Sequence, residues 1–335
     1  MNVLVAGGAG YIGSHTVKRL KEAGHSPVVY DNLSRGHQAA VEILNVPFIH
    51  ADLNDRAALA AALRLHQIDT VMHFAAYAYV GESVEKPLMY YQNNVATTIS
   101  VLQSMQETGV DRFVFSSTCA VYGDPDKIPI TEEEKKAPVS PYGRSKLQVE
   151  QILQDTPLGW KNFKFAALRY FNASGCAMDG SLGEDHDPET HLIPVVLQTI
   201  QGMRPEMSVF GTDYPTKDGT NIRDYIHVDD LADAHIAAME KLKAGEPIFC
   251  NLGTGHGFSV REIIQTAEKV TGRKVNVKYG PRRAGDAIAL YADPSKAKRV
   301  LGWEARHKDP ESIIRSAWNW FSKHPKGYED HDKAK

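Results

Sequence analysis

Short apolar runs alternate with longer amphipathic stretches through the first half of the chain. Val3–Ala6 is an unbroken apolar run of strand length. Ile12–Ala23 repeats apolar residues at helical spacing and stops at Gly24. The same pattern predicts strands over Pro27–Tyr30, Phe48–His50 and Thr70–Phe74, with a helix over Asp55–His66. A longer helix is predicted from Pro87 to Gln106, ending near Gly109; proline suits a first turn, where its missing N–H would have no partner. Arg112–Ser116 and Phe165–Tyr170 read as strands, with a helix over Tyr142–Gln154 between them. Strands separated by helices of about 10 or more residues imply parallel β-α-β units, hence an α/β fold with a doubly wound parallel sheet.

After about residue 172 the rhythm changes. Gly, Pro, Asp and His become dense through Asn172–Pro194, and the later pieces are helices near Pro194–Gly202, Val228–Ala244 and Val260–Gly272. The expected division is residues 1–172 as one domain and 173–335 as mainly a smaller second one, with some segments returning to the first. A length of 335 residues fits two domains. His227-Val228-Asp229-Asp230 reads as a strand end followed by an aspartate helix cap, and His324–Lys335 as a frayed polar end.

Composition narrows the function classes. Lys+Arg is 38 against 41 Asp+Glu, a net charge of −3, without the basic excess of a nucleic-acid binder. No apolar run approaches the roughly 20 residues that span a bilayer, and the N-terminus lacks the basic n-region of a signal peptide. Nucleic-acid and membrane partners are therefore not expected. The three cysteines, Cys119, Cys176 and Cys250, are too few and too widely spaced for a disulfide framework or a zinc site, which fits a reducing cytoplasmic compartment.

The first candidate chemistry lies directly after the first strand. Gly7, Gly10 and Gly13 recur at three-residue spacing and open the first helix. Such a turn lets the backbone N–H groups of Tyr11, Ile12 and Gly13 approach a pyrophosphate at a helix N-terminus, where the helix dipole favours negative charge. A plain strand-to-helix turn would also use glycine. Asp31 decides between the two, because it ends the second strand 18 residues beyond Gly13, where a carboxylate can accept from an adenosine ribose. A carboxylate repels the 2′-phosphate of NADP, so NAD is the expected cofactor, with Arg35 read as a solvated loop charge. Asn32, Asp52 and Leu53 at neighbouring strand ends, and Phe74, Ala75 and Ala76 after the fourth strand, are further candidate cofactor contacts.

Tyr142 and Lys146 stand four residues apart and share one helix face. A tyrosine of ordinary pKa, about 10, is a poor base at neutrality. A lysine ammonium and a positive nicotinamide ring beside it would favour the phenolate, which can then take a hydroxyl proton as hydride leaves the same carbon. By itself this spacing is common on helix surfaces. Ser116, Ser117 and Thr118 end a strand 24 residues before Tyr142, at the sheet edge where ligands of open α/β sheets bind, and Thr118 is placed to hydrogen-bond a substrate hydroxyl.

The glycine turn, the strand-end Ser-Ser-Thr and the Tyr-x-x-x-Lys pair together resemble the extended short-chain dehydrogenase/reductase family. Within it, the chain is similar to the branch that epimerises UDP-hexoses at C4. The matching stretches include Gly7–His15, Asp31–Leu33, Val80–Ser83, Ala120–Gly123, Tyr142–Lys146, Arg169–Asn172, Gly211–His227, Arg282–Asp286 and Leu301–Trp303, nearly the whole chain. The resemblance implies a Rossmann-type sheet with a smaller C-terminal substrate-binding domain, Thr118, Tyr142 and Lys146 as the catalytic trio, and bound NAD. It adds Asn94, Ser116 and Tyr170 to the cofactor contacts. For a UDP-sugar it implies Asn172 at the diphosphate, Leu192 and Phe210 at the uracil, Arg223 and Arg283 gripping the diphosphate and Asp286 on the ribose. Leu290 stands where members that reject N-acetylated sugars carry a tyrosine. A homodimer through the helices near Pro87–Gln106 and Tyr142–Gln154 is also implied. One departure is Ala78, where well-known bacterial members have a lysine on the cofactor phosphates.

Two rival readings share this scaffold. Nucleotide-sugar 4,6-dehydratases place Asp-Glu directly after the strand-end threonine; here those positions are Cys119 and Ala120. A non-catalytic NAD-binding regulator would have no need of Thr118, Tyr142 and Lys146. The run Glu184–His191 is rich in Glu, Asp and His, but it has no i, i+4 histidine pair and Pro188 interrupts it, so it reads as a solvated loop without a metal.

Overall fold

The computed structural model describes residues 1–283 and 286–330. Six of the apolar runs form strands within two residues of the predicted bounds: β1 (Asn2–Ala6), β2 (Ser26–Asp31), β3 (Phe48–His50), β4 (Thr70–His73), β5 (Arg112–Thr118) and β6 (Lys164–Tyr170). A seventh strand, Ile248–Leu252, comes from the far half of the chain and pairs in parallel with β6. The sheet order is Ile248–Leu252, β6, β5, β4, β1, β2, β3. Connections run outward on both sides of β1, so the order reverses between β1 and β4. A crevice opens there at the carboxyl ends of the strands.

Period-two alternation divides the core between the two sheet faces. Val3 and Val5 face Val17 and Leu20 of the first helix and Leu231 and Ala234 of the Val228–Lys241 helix. Leu4 and Ala6 face Leu59, Leu63, Val101 and Val149 on the other side. Helix starts follow local hydrogen-bonding chemistry. Asp55 accepts the Ala58 N–H at 3.0 Å, and Ser140 accepts the Gly143 N–H at 3.1 Å with Pro141 in the first turn. That last helix, Pro141–Gly159, runs five residues past its expected end, through Pro157 in its final turn.

The helix expected from Pro87 as one piece reaches Thr108 but holds a π turn over Gln92–Ala96, which buries Asn94. The second half adds short paired strands. Asn172–Ser174 pairs with Tyr225–His227, Met207–Phe210 with Val277–Gly280, and Ile222–Arg223 lies between Phe258–Ser259 and Ala289–Leu290. A separate core gathers around Trp320, with Ile193, Ile263 and Ile313.

Two expectations need correction. The Val228–Lys241 helix is capped by His227, whose Nδ1 accepts the Asp229 N–H at 3.1 Å; both aspartates lie inside the first turn. The chain end is docked at least as far as Asp330, since Tyr328 packs on Trp320, its hydroxyl accepts the Gly183 N–H, and Asp330 accepts the Ala39 N–H at 3.0 Å. One aromatic ring and one carboxylate with built partners outweigh the polar composition around them. Residues 331–335 lie outside the described residues.

Candidate active site

At the crevice the glycine turn has two separate requirements. A Cβ on Gly7 would stand 2.5 Å from the Ala75 nitrogen, and one on Gly13 would stand 2.1 Å from the Gly7 oxygen. Those two glycines let β1, its helix and the end of β4 touch backbone to backbone. Gly10 differs, because a Cβ there would meet only the Gly7 oxygen, at 3.4 Å. It is the N-cap of the Tyr11–Glu22 helix, and no side chain caps that first turn. A helix N-terminus left uncapped behind a residue that packing does not force to be glycine fits a pyrophosphate drawn against the backbone.

Asp31 reaches this turn from β2. Its Oδ2 accepts the Ala9 N–H at 3.0 Å and its Oδ1 the Leu33 N–H at 2.8 Å. Burial raises its pKa, and the two backbone donors act against that rise. Arg35 is not a free loop charge as expected. Its guanidinium pairs with Glu82 at 3.1 Å and lies 5.3 Å from the centres of the Tyr77 and Tyr79 rings. Asp52 accepts from Asn32 Nδ2 at 2.8 Å, joining two strand ends. The Leu53 side chain belongs to the core with Val28 and Val101, so this residue has only its backbone to offer a ligand. Asn94 is likewise committed: Oδ1 accepts the Tyr77 N–H, and Nδ2 donates to the Tyr77 carbonyl and to Ser145 Oγ. It holds the loop after β4, which begins with Phe74, Ala75 and Ala76. Ala78 is exposed in that loop.

Across the crevice, β5, β6 and the Pro141–Gly159 helix bring five side chains together. Tyr170 and Ser116 share a hydroxyl–hydroxyl bond of 2.6 Å, and Lys146 Nζ donates to the Ser116 carbonyl at 2.8 Å. Tyr142 is buried, with the Tyr90 ring edge-on to it at 6.5 Å. Burial pushes its phenol well above the ordinary pKa and Tyr170 adds to this, while the Thr118 hydroxyl beside it acts in the opposite sense. Burial also brings the Lys146 ammonium down to about 7, with Glu150 pulling it back up. The Lys146 ammonium is bonded to the end of β5, and the hydroxyl beside the phenol is Thr118.

The later segments supply a basic and aromatic wall. Strand pairing sets Leu290 opposite Arg223, and Asn172 Nδ2 donates to the neighbouring Asp224 carbonyl at 3.0 Å. Arg223 donates to the Ile222 and Ala287 carbonyls and lies 3.9 Å from Asp286. The Arg283 guanidinium carbon sits 3.9 Å over the Phe210 ring, and Leu192 opens the helix Leu192–Ile200. One guanidinium near a carboxylate and another over a ring suit a diphosphate linked to a ribose and a base.

The NAD-dependent epimerase/dehydratase family model matches residues 3–253. The chain belongs to this family. It is 50% identical over 335 residues to the UDP-glucose 4-epimerase of Streptococcus mutans, covering 99% of this chain and all of the relative. The crystal structure of UDP-glucose 4-epimerase from Brucella ovis in complex with NAD superposes with a TM-score of 0.92 at 50% identity, covering 95% of this chain and 98% of that one. That of the Stenotrophomonas maltophila enzyme, with bound NAD and formylated UDP-arabinopyranose, gives 0.93 at 43% identity, over 97% and 99% of the two chains. Membership makes this protein an NAD-dependent enzyme, in keeping with the Gly10 cradle and Asp31.

Some features of this family member escaped the sequence. Beneath Thr118, Glu150 and Arg169 form a buried bidentate ion pair at 2.6 and 2.8 Å, which Ser117 joins at 2.6 Å. Charge and hydroxyl spacing could have suggested it only if the pairing of β5 with β6 were already known. Residues 184–191 are not a solvated loop: Glu184 and Glu189 are 3% and 7% exposed, turned inward against His186 and His191.

Proposed function

We propose that this enzyme interconverts UDP-glucose and UDP-galactose by inverting C4, with NAD bound throughout. The reading rests chiefly on Tyr142, whose phenol stands beside Thr118 at the carboxyl end of β5. Thr118 and Tyr142 hold the sugar 4-OH, and Tyr142 takes its proton. Gly7–Gly13, Asp31 and the β4 end would hold NAD, which would supply hydride acceptance from C4 and hydride return. Lys146, fixed on the Ser116 carbonyl, contributes positive charge behind the phenol. The 4-keto sugar turns about the diphosphate anchored by Asn172, Arg223 and Arg283, so that hydride would return to the opposite face of C4 while Tyr142 returns the proton to the C4 oxygen. Incubation with UDP-galactose followed by NMR should show UDP-glucose appearing to equilibrium. A product that has lost water would support dehydration instead. The side chains after Thr118 speak against that outcome, because burial pushes the Cys119 thiol up to about 12 and Ala120 has no titratable group.

An internally recycled hydride needs no cofactor exchange. Protein purified without added nucleotide is therefore expected to release NAD on denaturation, measured by enzymatic cycling assay. Finding NADP would overturn the role given to Asp31. We place the NAD unit at residues 1–172 and the UDP-sugar unit mainly at 173–335. No helix among the described residues is long and apolar enough to cross a membrane. A cytoplasmic homodimer in galactose metabolism completes the proposal; exposed Leu88 and Leu158 on the two helices named for contact support it.

Leu290 supports a wider substrate range. It packs against the cluster of Val121, Tyr122 and Phe171, just past the end of β5, whereas the Tyr291 ring is turned toward Gly257, where a Cβ would stand 3.1 Å from its Cδ1. With no phenol at position 290, a 2-acetamido group has room. UDP-GlcNAc and UDP-GalNAc should interconvert measurably. Leu290→Tyr should lower kcat/KM for them at least about tenfold relative to UDP-galactose, because added bulk acts by steric exclusion. A wild-type enzyme active on UDP-galactose and silent on UDP-GalNAc would remove the gate and leave the epimerase reading standing.

A further inference from the structure

The turn Glu184–His191 brings four ligand-type side chains to one point next to the glycine turn. His186 Nδ1 lies 3.3 Å from a Glu184 oxygen and 3.4 Å from a Glu189 oxygen. His191 Nδ1 lies 3.2 Å from the same Glu184 oxygen and 2.8 Å from Glu189. All four candidate ligand atoms fall within 4.8 Å of one another. In a tetrahedral zinc site, bonds of about 2.0–2.1 Å put ligand atoms about 3.3 Å apart. The histidine–carboxylate separations, 2.8 to 3.4 Å, already lie near that value.

We propose that Glu184, His186, Glu189 and His191 form a four-coordinate site for one divalent transition-metal ion of the zinc class. The donor set favours this class. Two imidazole nitrogens with two carboxylates suit zinc or cobalt, whereas calcium takes about six to eight oxygens at longer distances. Two buried carboxylates and one divalent cation are neutral together, which removes the cost of burying like charges side by side. The shell behind the ligands is built as well. Glu189 Oε1 accepts the Thr190 and His191 N–H groups, both at 2.7 Å. The rings of Tyr11 and Tyr79 stand edge-on to His186 at 6.0 and 6.2 Å. Tyr11 begins the helix of the glycine turn, and His191 precedes Leu192. A metal here would fix the turn that packs on Tyr11 and leads into the helix carrying Leu192, and its binding does not depend on which sugar the enzyme uses.

The test uses the untagged, full-length enzyme stripped with a chelator and titrated with Zn²⁺ by calorimetry and with Co²⁺ by visible absorption. The expected results are one saturable Zn²⁺ equivalent per chain and the intense bands of four-coordinate Co²⁺. His186→Ala and Glu184→Gln should each weaken Zn²⁺ binding at least about tenfold, within the range found when metal-site partners are lost. Melting of each metal-free variant checks its fold; if both are unfolded, the Co²⁺ spectrum of the wild-type protein decides. No stoichiometric binding, a six-coordinate Co²⁺ spectrum, or undiminished affinity in both folded variants would overturn the site, leaving a set of histidine–glutamate ion pairs.

Discussion

Tyr142→Phe should lower turnover of UDP-galactose at least about 100-fold, the lower end of what one positioned general base contributes. The substitution keeps the ring against Tyr90 and removes only the hydroxyl beside Thr118. Proton removal from the 4-OH then has no acceptor within reach. Affinity for UDP should persist, since Asn172, Arg223 and Arg283 belong to other segments. In the protein alone the phenol is held neutral, because burial and Tyr170 raise its pKa. The phenolate therefore depends on positive charge brought close to it. Lys146 is the resident source, and burial has already brought its pKa down to about 7. Steady-state turnover together with UDP calorimetry checks the pair of outcomes. Near wild-type turnover in the phenylalanine variant would mean that another group takes the proton.

The parts of this architecture that were legible are those whose signal is local. β1 and β5 carry unbroken apolar runs, Val3–Ala6 and Phe113–Phe115, and the glycine turn and the Tyr142–Lys146 pair are fixed spacings along one stretch of chain. What escaped depends on distant segments meeting. Ile222–Arg223 and Ala289–Leu290 are two-residue strands, too short to show any period, yet their pairing places Leu290 opposite Arg223. The helix Gln38–Leu44 has only seven residues and no side-chain cap to announce it. The π turn at Gln92–Ala96 leaves the helical pattern intact while moving Asn94 inward to bond the loop after β4. Polar composition misled at Glu184–His191 and at Tyr328–Asp330, because polar groups that find partners in the folded chain are buried without penalty.

Glu150→Ala should cost about 3–5 kcal/mol of folding stability, because removing one member of a buried pair leaves the other charge uncompensated. Glu150 and Arg169 are 1% and 3% exposed, so water cannot repair the loss. The pair also anchors a chain of bonds across the sheet. Arg169 donates to the Tyr122 hydroxyl at 2.9 Å, and Tyr122 donates to Asn251 Oδ1, on the seventh strand, at 2.6 Å. Chemical denaturation followed by circular dichroism measures the loss. The double variant Glu150→Leu with Arg169→Met should recover much of it, because apolar replacement of a whole buried pair is often neutral. A cost below about 1 kcal/mol for Glu150→Ala, the scale of an exposed pair, would show that the guanidinium finds another partner. The effect should reach the active site too. Glu150 lies one helical turn beyond Lys146 and supports its charge, so its loss should move Lys146 further toward the neutral amine and take turnover down with it.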